Sequence, residues 1–478
     1  MSCSETAKHR DAVLVGALFL AFWSATAVAQ VSTDMSPDEK TEATNGCGTL
    51  NGTVITHTTN ITADTTWVGA GTVHIVANSI SVLAPATLTI AQCAIVKLKA
   101  GVELSVRGSD TATARLVAAG NHATTGAVYF IKNDAQRWGR LHGINQNSLI
   151  DLEFAVLSGG GNMGGANRNA VIFMQGTGVL PDPVLTVNNT KIPNNPGTAI
   201  YLSDAAFTPG SKALRVTGAT DFAMSMPAMA LGSIPTGTYT GNTVDEALVV
   251  ENANIFDDLT VATPLPIRFQ TAGIHVGGLA PTFVPNLTLT LKAGVTLKIE
   301  SPDTGPTLIT FGDLGQSPNK NAALVALGTA ASPVTFTSGS VSPSPGDWAG
   351  IWLATSVGSK LNHVVIEDAG GDAHIGPKSC GPVGSRHTAA LLVGDDDPLQ
   401  YVPPSTLIKN SQFVNNLGNF AIDSVWTVGN SSFGPNLTTS NTFEASSSVC
   451  TQSRNVVTSG GTQGCIVDGR DEHGCLVP

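Results

Sequence analysis

Charged residues are scarce in this sequence. They make up 12% of the 478 residues, about half of the roughly 25% that is usual for soluble domains. Lys and Arg number 24 against 35 Asp and Glu, which leaves a formal net charge of −11. Because few cations are present and the balance is negative, the composition argues against nucleic acid and anionic membrane surfaces as partners.

A helical repeat of apolar residues is also missing. From about Thr49 to Phe443 the chain consists of short apolar runs, such as TVHIV and LTLTLKAGVTLKI, separated by Gly, Asn, Pro or Ser. We find no useful window with apolar residues at the i, i+3, i+4 and i+7 positions of a helix. Short runs bounded by turn residues are typical of strands, so the sequence predicts an all-β fold.

Common catalytic and metal-binding motifs are absent as well. The sequence contains no Gly-x-Ser-x-Gly, no phosphate-binding loop, no His-Glu-x-x-His and no Cys-x-x-Cys. Esterase, nucleotide-binding and zinc-protease functions therefore have no support.

What the chain does have, at its start, is the pattern of an export signal. Lys8 and Arg10 precede the apolar run AVLVGALFLAF, and Ala27 and Ala29 form a small-residue cleavage site. The run is too short to cross about 30 Å of hydrocarbon comfortably. We therefore expect a cleaved signal peptide and a secreted, periplasmic or cell-surface protein, with no membrane insertion.

Removing that segment leaves an even number of cysteines, which in an exported protein predicts up to three disulfides: Cys47, Cys93, Cys380, Cys450, Cys465 and Cys475. The sequence alone does not select among the pairings. Because three of them crowd the C-terminus, we expect Cys380 and the tail cysteines to crosslink the C-terminal end, and Cys47 with Cys93 the N-terminal end.

Two similar halves follow each other in the chain. Leu88-Thr89-Ile90 matches Leu289-Thr290-Leu291, Trp138 matches Trp348, and Gly159-Gly160 matches Gly370-Gly371. Val73-His74-Ile75 is matched in the same way with Ile274-His275-Val276. Self-similarity over a long period is typical of stacked architectures.

A parallel coil explains these features best. The strand runs lack a hairpin signal between each pair, which favours pairing with the equivalent strand of the next coil. The Asn pairs at 194–195 and 415–416 fit inward-turning corners, where stacked amides hydrogen-bond to turn backbone. A sandwich or propeller is the competing fold, but it needs a shorter repeated unit.

The sequence therefore predicts an all-β parallel β-helix, a solenoid built from two diverged tandem halves. The predicted divisions are a signal peptide at 1–29, a flexible acidic leader at 30–48, a first half at 49–245, a second half at 246–445 and a Cys-rich tail at 446–478.

Five segments between about 50 and 445 carry a resemblance: ATLTIAQCAIVKLKAGVELSV, LTLTLKAGVTLKI, LVALGTAASPVTFTS, DWAGIWL and LNHVVIEDAGG. They resemble bacterial secreted right-handed parallel β-helix repeat proteins, which have a pectate-lyase-like shape and often no assigned reaction. The resemblance implies a fold rather than a function. Cys93 stands where the second half has Gly294 and where the family usually has glycine, which supports a disulfide at that turn.

Acidic clusters are the candidates for a metal site. A polysaccharide lyase on this fold would need a basic residue beside Ca²⁺ held by carboxylates. The weak calcium candidates are Asp395, Asp396 and Asp397, for which a solvated turn is the alternative. A second acidic group comprises Glu367, Asp368 and Asp372 beside His374. We expect no other cofactor.

Aromatic side chains are the remaining candidates. Trp138 and Trp348 would stack on sugar rings if exposed, and otherwise pack over a coil edge. His74 and His275 stand between apolar residues and are expected to point outward. Glycosidases on this fold usually carry paired Asp and Gly-His-Gly. Here LHG at Leu141 is the nearest match, and its counterpart at Ile351 lacks histidine.

The expected function is that of an exported structural or binding module for a polysaccharide or another cell-surface polymer. A polysaccharide lyase or glycoside hydrolase on the same fold is one alternative, and an adhesin is another. A groove with two carboxylates plus Arg or Lys favours the enzyme, whereas a flat Thr, Asn and Trp face without them favours binding.

Overall fold

The fold comes from a computed structural model. It describes residues 47, 53–70, 72–122, 126–163, 169–178, 181–250, 253–277, 286–302, 305–312, 322–354, 357–373, 380, 388–394, 402–418, 420–427, 433–444, 450–457 and 463–469.

These residues form strands almost throughout. The first strands are β1 (Thr53–His57), β2 (Thr65–Trp67), β3 (Thr72–Val76), β4 (Ile80–Leu83), β5 (Thr87–Ala91), β6 (Ile95–Leu98), β7 (Leu104–Arg107), β8 (Ala114–Ala119), β9 (Val128–Lys132), β10 (Leu141–Ile144), β11 (Ser148–Glu153), β12 (Ala155–Leu157), β13 (Ile172–Gln175), β14 (Asp182–Asn188), β15 (Lys191–Pro193), β16 (Ile200–Ser203), β17 (Ala205–Phe207), β18 (Lys212–Thr217) and β19 (Phe222–Ser225). A 3₁₀ helix, Ala228–Ser233, comes next.

The remaining strands are β20 (Thr236–Thr238), β21 (Val244–Val249), β22 (Leu259–Val261), β23 (Ile267–Gln270), β24 (Gly273–Val276), β25 (Leu287–Lys292), β26 (Thr296–Glu300), β27 (Leu308–Phe311), β28 (Ala322–Leu327), β29 (Val334–Ser338), β30 (Gly350–Leu353), β31 (Lys360–Asn362), β32 (Val364–Glu367), β33 (Ala389–Val393), β34 (Ile408–Lys409), β35 (Gln412–Val414), β36 (Phe420–Thr427), β37 (Thr442–Phe443), β38 (Cys450–Val457) and β39 (Gln463–Gly469).

Strand pairing follows a three-strand period over most of the chain. β5 pairs with β8, and β8 pairs with β11, in parallel register. Among the described strands, every pairing of two named strands is parallel except that of β38 with β39. Three consecutive strands, such as β5, β6 and β7, thus form one coil. This confirms the all-β class and is consistent with the predicted parallel β-helix.

The described strands lie in four sheets. Sheet 1 has 14 strands and contains the first and middle strands of the early coils, from β1 to β20. Sheet 2 has 13 strands and runs from β4 to β37. Sheet 3 has five strands, from β22 to β34, and sheet 4 has seven, from β24 to β39. Sheet 2 continues across residue 245, the predicted boundary between the two halves, because β21 pairs with both β19 and β23.

Alternate side chains of each strand fill one continuous core. In β25, Leu287, Leu289 and Leu291 are buried while the threonines between them are partly exposed. Core residues of neighbouring strands stack in register, as Leu141, Ile172 and others do along sheet 2. This period of two along each strand, with register pairing across strands, is the physical basis of the repeated short apolar runs.

The asparagine pairs form the corners that the sequence predicts. Asn194 and Asn415 have left-handed φ angles of 53° and 51°, a conformation that Asn tolerates better than most residues. Asn195 and Asn416 are buried. Asn416 Nδ2 donates to the Ile366 carbonyl at 2.9 Å, and its Oδ1 accepts from the Ala369 amide at 2.8 Å, so the side chain ties two coils together.

Disulfides lie near both ends of the described chain. Cys47 pairs with Cys93, and Cys380 pairs with Cys465, which confirms the expected grouping of an N-terminal and a C-terminal crosslink. Cys475 lies outside the described residues. Such disulfides indicate an oxidising environment. Within the described part of the chain, no helix has the length and apolar character needed to cross a membrane.

Candidate binding face on sheet 2

One row of outward-facing side chains runs along sheet 2. Its members, here called the outer row, lie in register on successive strands: Ser81, Ser105, His142, Phe173, Tyr201, Ser225, Leu248, Arg268, Lys298 and Thr337. Their sequence neighbours on the same strands, such as Leu141 and Ile172, belong to the core. Since side chains alternate across a strand, the outer row faces away from the core.

An acid–base cluster lies near the start of this row. Glu103 Oε1 contacts His142 Nδ1 at 2.9 Å and accepts from Ser105 Oγ at 2.6 Å. The other carboxylate oxygen accepts from Arg140 Nε at 2.9 Å. These partners come from strands β7 and β10 and from the residues just before them. Parallel register therefore brings together groups that are 37 and 39 positions apart in the chain.

The cluster holds Glu103 as a carboxylate and His142 as a neutral ring. Burial by itself raises the pKa of Glu103, but the hydrogen bonds from His142 and Ser105 and the charge of Arg140 outweigh it and lower the pKa to about 2. Burial lowers the pKa of His142 even though the hydrogen bond to Glu103 raises it. Nδ1 of His142 also lies 3.3 Å from the donor Nη2 of Arg140, but its shorter contact, at 2.9 Å, is with a carboxylate, which only accepts. Nδ1 therefore carries the ring proton and donates it to Glu103.

The other ring nitrogen of His142 is unsatisfied. Only 7% of the residue is exposed, and Nε2 is buried without a hydrogen-bond partner among the described residues. With the proton on Nδ1, this Nε2 carries a lone pair. Buried polar atoms of this kind are uncommon in folded proteins and call for an explanation.

Aromatic rings continue the outer row beside the cluster. Phe173 stacks on His142 with ring centroids 4.7 Å apart, and Tyr201 meets Phe173 edge-on at 5.3 Å. The Arg140 guanidinium lies 4.7 Å from the centre of the Phe173 ring, a cation–π contact. Stacking and cation–π contact both restrain the imidazole and guanidinium planes.

An ion-pair cluster occupies the next part of sheet 2. Glu246 bonds to both Arg268 and Lys298, and the Lys298 Nζ contact measures 2.6 Å. Arg268 also reaches Glu300 Oε2 at 3.0 Å and the carbonyl of Gly339. On the outer row, Arg268 is five strand steps from His142, which corresponds to about 24 Å at about 4.8 Å per strand.

This second cluster contains two carboxylates with Arg and Lys, the combination that favours an enzyme in the sequence-based prediction. Its chemistry, however, is that of a closed ion-pair network. Burial raises the pKa of Glu246, but the hydrogen bonds and charges of Arg268 and Lys298 outweigh this and lower it. The pKa of Arg268 is raised, because its bonds to Glu246 and Glu300 outweigh the effect of burial. The network thus favours an ionised Glu246, whereas a general acid needs a raised pKa.

The second half of the chain has an apolar counterpart of the acid–base cluster. His142 follows Trp138 by four residues, and Trp352 follows Trp348 by the same distance. Trp352 packs with Leu308, Ala354 and Leu392, and its indole nitrogen donates to the Gly394 carbonyl at 3.0 Å. A coil of this kind therefore forms without a charged group at this position.

The two tryptophans proposed for ligand stacking are fully buried. Trp138 and Trp348 both have 0% exposure. Their indole nitrogens donate to the carbonyls of Ser158 and Glu367 at 2.8 and 2.9 Å. Neither ring presents a face to a sugar, so the stacking role is corrected to the alternative of packing over a coil edge.

The acidic candidates are only partly described. Asp395, Asp396, Asp397 and His374 lie outside the described residues. Asp368 is buried and accepts from Asn415 Nδ2 at 2.7 Å and from Thr337 Oγ1 at 3.2 Å, so its carboxylate stabilises a corner. In the described part of the chain, no group of three or more metal-ligating side chains is found.

The expectation that His74 points outward is wrong. His74 lies in register with Val96 on β6, which faces the core, and only 1% of it is exposed. Val73 instead belongs to a separate hydrophobic cluster outside the core, against which Ile75 and Cys47 pack. His275 is partly exposed and lies on β24, the third strand of its coil, whereas β3 is a middle strand. The two histidines are not structural equivalents.

Sequence reasoning did not identify Glu103 and Arg140 as site residues. They belong to different apolar runs, and only the register of β7 with β10 brings them to His142. The one available signal was the histidine of LHG, four residues after a tryptophan that recurs in the second half. Comparison with protein-family models, with curated proteins and with solved structures finds no match for this chain.

Proposed function

We propose that this protein is an exported binding module that holds an extended polymer along the outer face of sheet 2. The observation that carries the proposal is the outer row, in which the side chains on ten successive strands are polar, charged or aromatic except at Leu248. Most of these side chains are buried, from Ser105 to Leu248 and at Thr337. The outer row covers ten of the 13 strands of sheet 2, which corresponds to about 43 Å at about 4.8 Å per strand. Stacked coils with long continuous faces suit extended ligands.

An exposed row beside the outer row supports this assignment. Arg107, Gln175 and Gln270 lie two residues beyond members of the outer row and are exposed. Their side chains supply hydrogen-bond donors and acceptors at the solvent edge of the face. A polymer lying there would contact these residues first and the deeper outer row second.

We also infer that the coil is right-handed and consists of two diverged copies. Right-handed connection is the strong rule for parallel strands. Strands β2 to β16 and β22 to β36 each make five three-strand coils by their pairing. Gly159 and Gly370 follow corresponding strands with left-handed φ angles of 75° and 91°, as expected for two copies of one turn.

Export is part of the proposal. The pattern of residues 1–29, which lie outside the described chain, is that of a cleaved signal peptide. The pairs Cys47–Cys93 and Cys380–Cys465 fit an oxidising destination.

Polysaccharide cleavage is the second candidate function. The observation in its favour is the pair of carboxylates Glu246 and Glu300 beside Arg268 and Lys298, although the lowered pKa of Glu246 does not suit a general acid. Asp395, Asp396 and Asp397 are its proposed calcium ligands. This function predicts release of unsaturated or reducing sugar ends.

The test is retention of the purified exported protein on a panel of immobilised polysaccharides. The double variant Gln175→Ala/Gln270→Ala should weaken retention by roughly 10-fold, because each lost hydrogen bond contributes about 0.5–1.5 kcal/mol. The matched control is Gln92→Ala/Gln136→Ala, two exposed glutamines outside the strands of sheet 2, which should bind like the wild type.

The same incubations, with and without Ca²⁺, report on cleavage. Release of sugar ends would replace the binding role by the enzymatic one. Retention on no polymer of the panel would overturn the proposed function.

A further inference from the structure

We propose that Nε2 of His142 accepts a hydrogen bond from a sugar hydroxyl, and that the polymer bound by sheet 2 is a neutral polysaccharide. This inference rests on the proposed function of sheet 2. It adds a named contact atom and a substrate class to it.

The chemistry of the ring selects a donor as its ligand. Glu103 holds the proton on Nδ1 through a 2.9 Å contact, so Nε2 has a lone pair and no hydrogen. Nε2 has no partner among the described residues. A neutral imidazole nitrogen with a free lone pair accepts from a hydroxyl. Sugar hydroxyls are such donors.

Packing alone does not account for this histidine. Trp352 takes the corresponding place after Trp348 and is satisfied by apolar neighbours and one backbone carbonyl. The outer row could therefore be apolar at His142 as well. Instead, it carries a histidine whose orientation is set by Glu103, Ser105 and Arg140, and whose remaining nitrogen is unused. Fixing a ring by hydrogen bonds to one nitrogen prepares the other nitrogen for a ligand.

Access to the nitrogen runs through the exposed row. Glu103 lies two residues before Ser105, the outer-row residue of β7, and it contacts Nδ1 of His142. Nε2 therefore lies on the opposite edge of the imidazole ring. The row two residues further along contains Arg107, Ile144 and Gln175 in register. Arg107 and Gln175 are exposed, and Arg107 Nε donates to Ser81 Oγ at 3.1 Å. The proposed contact requires these side chains to move aside so that a sugar hydroxyl reaches Nε2.

Charge favours a neutral polymer over an acidic one. The chain carries a formal net charge of −11. The arginines and lysine of the two clusters are engaged by Glu103, Glu246 and Glu300. These cations are thus already neutralised by their partners. An anionic polymer would meet overall repulsion on approach.

The experiment compares two polymers with one backbone: neutral hydroxyethyl cellulose and anionic carboxymethyl cellulose. The wild type should retain the neutral polymer more strongly. The variant is His142→Asn, in which the amide NH₂ replaces the Nδ1 donor to Glu103 and no acceptor replaces Nε2. We expect its affinity for the neutral polymer to fall by roughly 5- to 100-fold, the range for an unmade buried hydrogen bond.

The matched control is His363→Asn. His363 lies at the corner between β31 and β32 with a left-handed φ of 50°, which Asn also adopts readily. This variant makes the same chemical change away from the cluster and should bind like the wild type.

A pH profile separates loss of the acceptor from loss of structure. Protonation of Nε2 removes its lone pair, so wild-type binding should weaken below the pKa of His142, while His142→Asn should show no such step. The charged groups that act on this ring are Glu103, Arg140 and Arg107. Glu103 remains ionised throughout, because its pKa lies near 2.

Three results would overturn the inference in different ways. If His142→Asn and His363→Asn both bind the neutral polymer as tightly as the wild type, the His142 contact is excluded and the proposed function stands. Equal or stronger retention of carboxymethyl cellulose would exclude the neutral class. Retention of no polymer at all would overturn the proposed function together with the contact.

Discussion

At the scale of single residues, three rings close the N-terminal end of the core. Trp67 stacks against both His57 and His74, with ring centroids 4.1 and 5.1 Å away, and the two imidazole centroids are 5.2 Å apart. His57 Nε2 contacts His74 Nδ1 at 2.9 Å, and His74 Nε2 contacts the Val68 carbonyl at 2.9 Å. Since a carbonyl only accepts, His74 carries its proton on Nε2, and its Nδ1 accepts from His57. The arrangement requires His74 to be neutral, since its Nδ1 must accept.

Acid should therefore destabilise this end of the molecule. Burial, with a smaller contribution from His74, lowers the pKa of His57 from 6.5 to about 4, and burial also lowers the pKa of His74. Between about pH 6.5 and 4 the unfolded chain binds more protons than the folded one, so the free energy of unfolding falls as the pH falls. Urea unfolding midpoints from pH 7.5 to 4.5 measure this slope.

His57→Phe is the control for that slope. A phenyl ring keeps the stack on Trp67 and removes one titrating group, so the dependence on pH should flatten. Glu103 adds to the slope only at the acid end of this window, because its stabilisation is present above pH 4.5 and is lost as the pH falls from there toward its pKa of about 2. An unchanged slope in His57→Phe would show that the stack does not set the response.

At the scale of strands and their register, we expect that apolar side chains can replace the acid–base cluster with little loss of stability. Glu103→Leu should lower the free energy of unfolding by about 3 kcal/mol, because it leaves Arg140 buried without its counter-charge. The triple variant Glu103→Leu/Arg140→Leu/His142→Leu should come within about 1 kcal/mol of the wild type, since apolar groups of similar volume can replace a buried ion pair.

Chemical denaturation of the two variants measures the difference between them. The apolar surroundings of Trp352 in the second half are the structural reason to expect recovery. If the triple variant is as unstable as the single one, the cluster has a structural role that an apolar set does not fulfil.

The strand scale is also where sequence reasoning succeeds and then stops. Runs of alternating apolar residues indicate the all-β class because each coil needs the same inward pattern. The corner at Asn415 and Asn416 was predictable because asparagine both tolerates the left-handed φ seen at Asn415 and can bond to turn backbone, as Asn416 does. The direction of His74 was not, because Val73 and Ile75 look like core residues but belong to a second cluster outside the core, against which Cys47 also packs.

Register explains what the sequence could not reveal about the site. Glu103 and His142 are 39 positions apart, and their contact depends on which residue of β7 faces which residue of β10. Shifting that register by one residue would turn His142 into the core. A single sequence contains the residues of the cluster but not the pairing that assembles it.

At the scale of the whole molecule, each disulfide should protect its own end. Closing loops of 46 and 85 residues corresponds to about 4 and about 4.5 kcal/mol in the chain-entropy description. In a stacked architecture each coil contacts only its neighbours, so the effect should remain local. Cys47→Ser/Cys93→Ser should speed amide hydrogen exchange in β3 and β6 and leave β28 to β32 protected.

Hydrogen exchange read by mass spectrometry measures this, with Cys380→Ser/Cys465→Ser as the reciprocal variant. That variant should expose the last described coils and spare the first. A uniform increase along the chain in either variant would mean that the coils unfold as one cooperative unit.

The antiparallel strand β39 limits the addition of further coils at its edge of sheet 4. β38 pairs in parallel with β36 on one side and antiparallel with β39 on the other. Stacked coils extend by parallel pairing, so another molecule that added its coil to this edge would meet a backbone running the wrong way, with a different spacing of hydrogen bonds. The hairpin therefore disfavours fibril elongation at this edge and helps to keep the molecule a rod of fixed length.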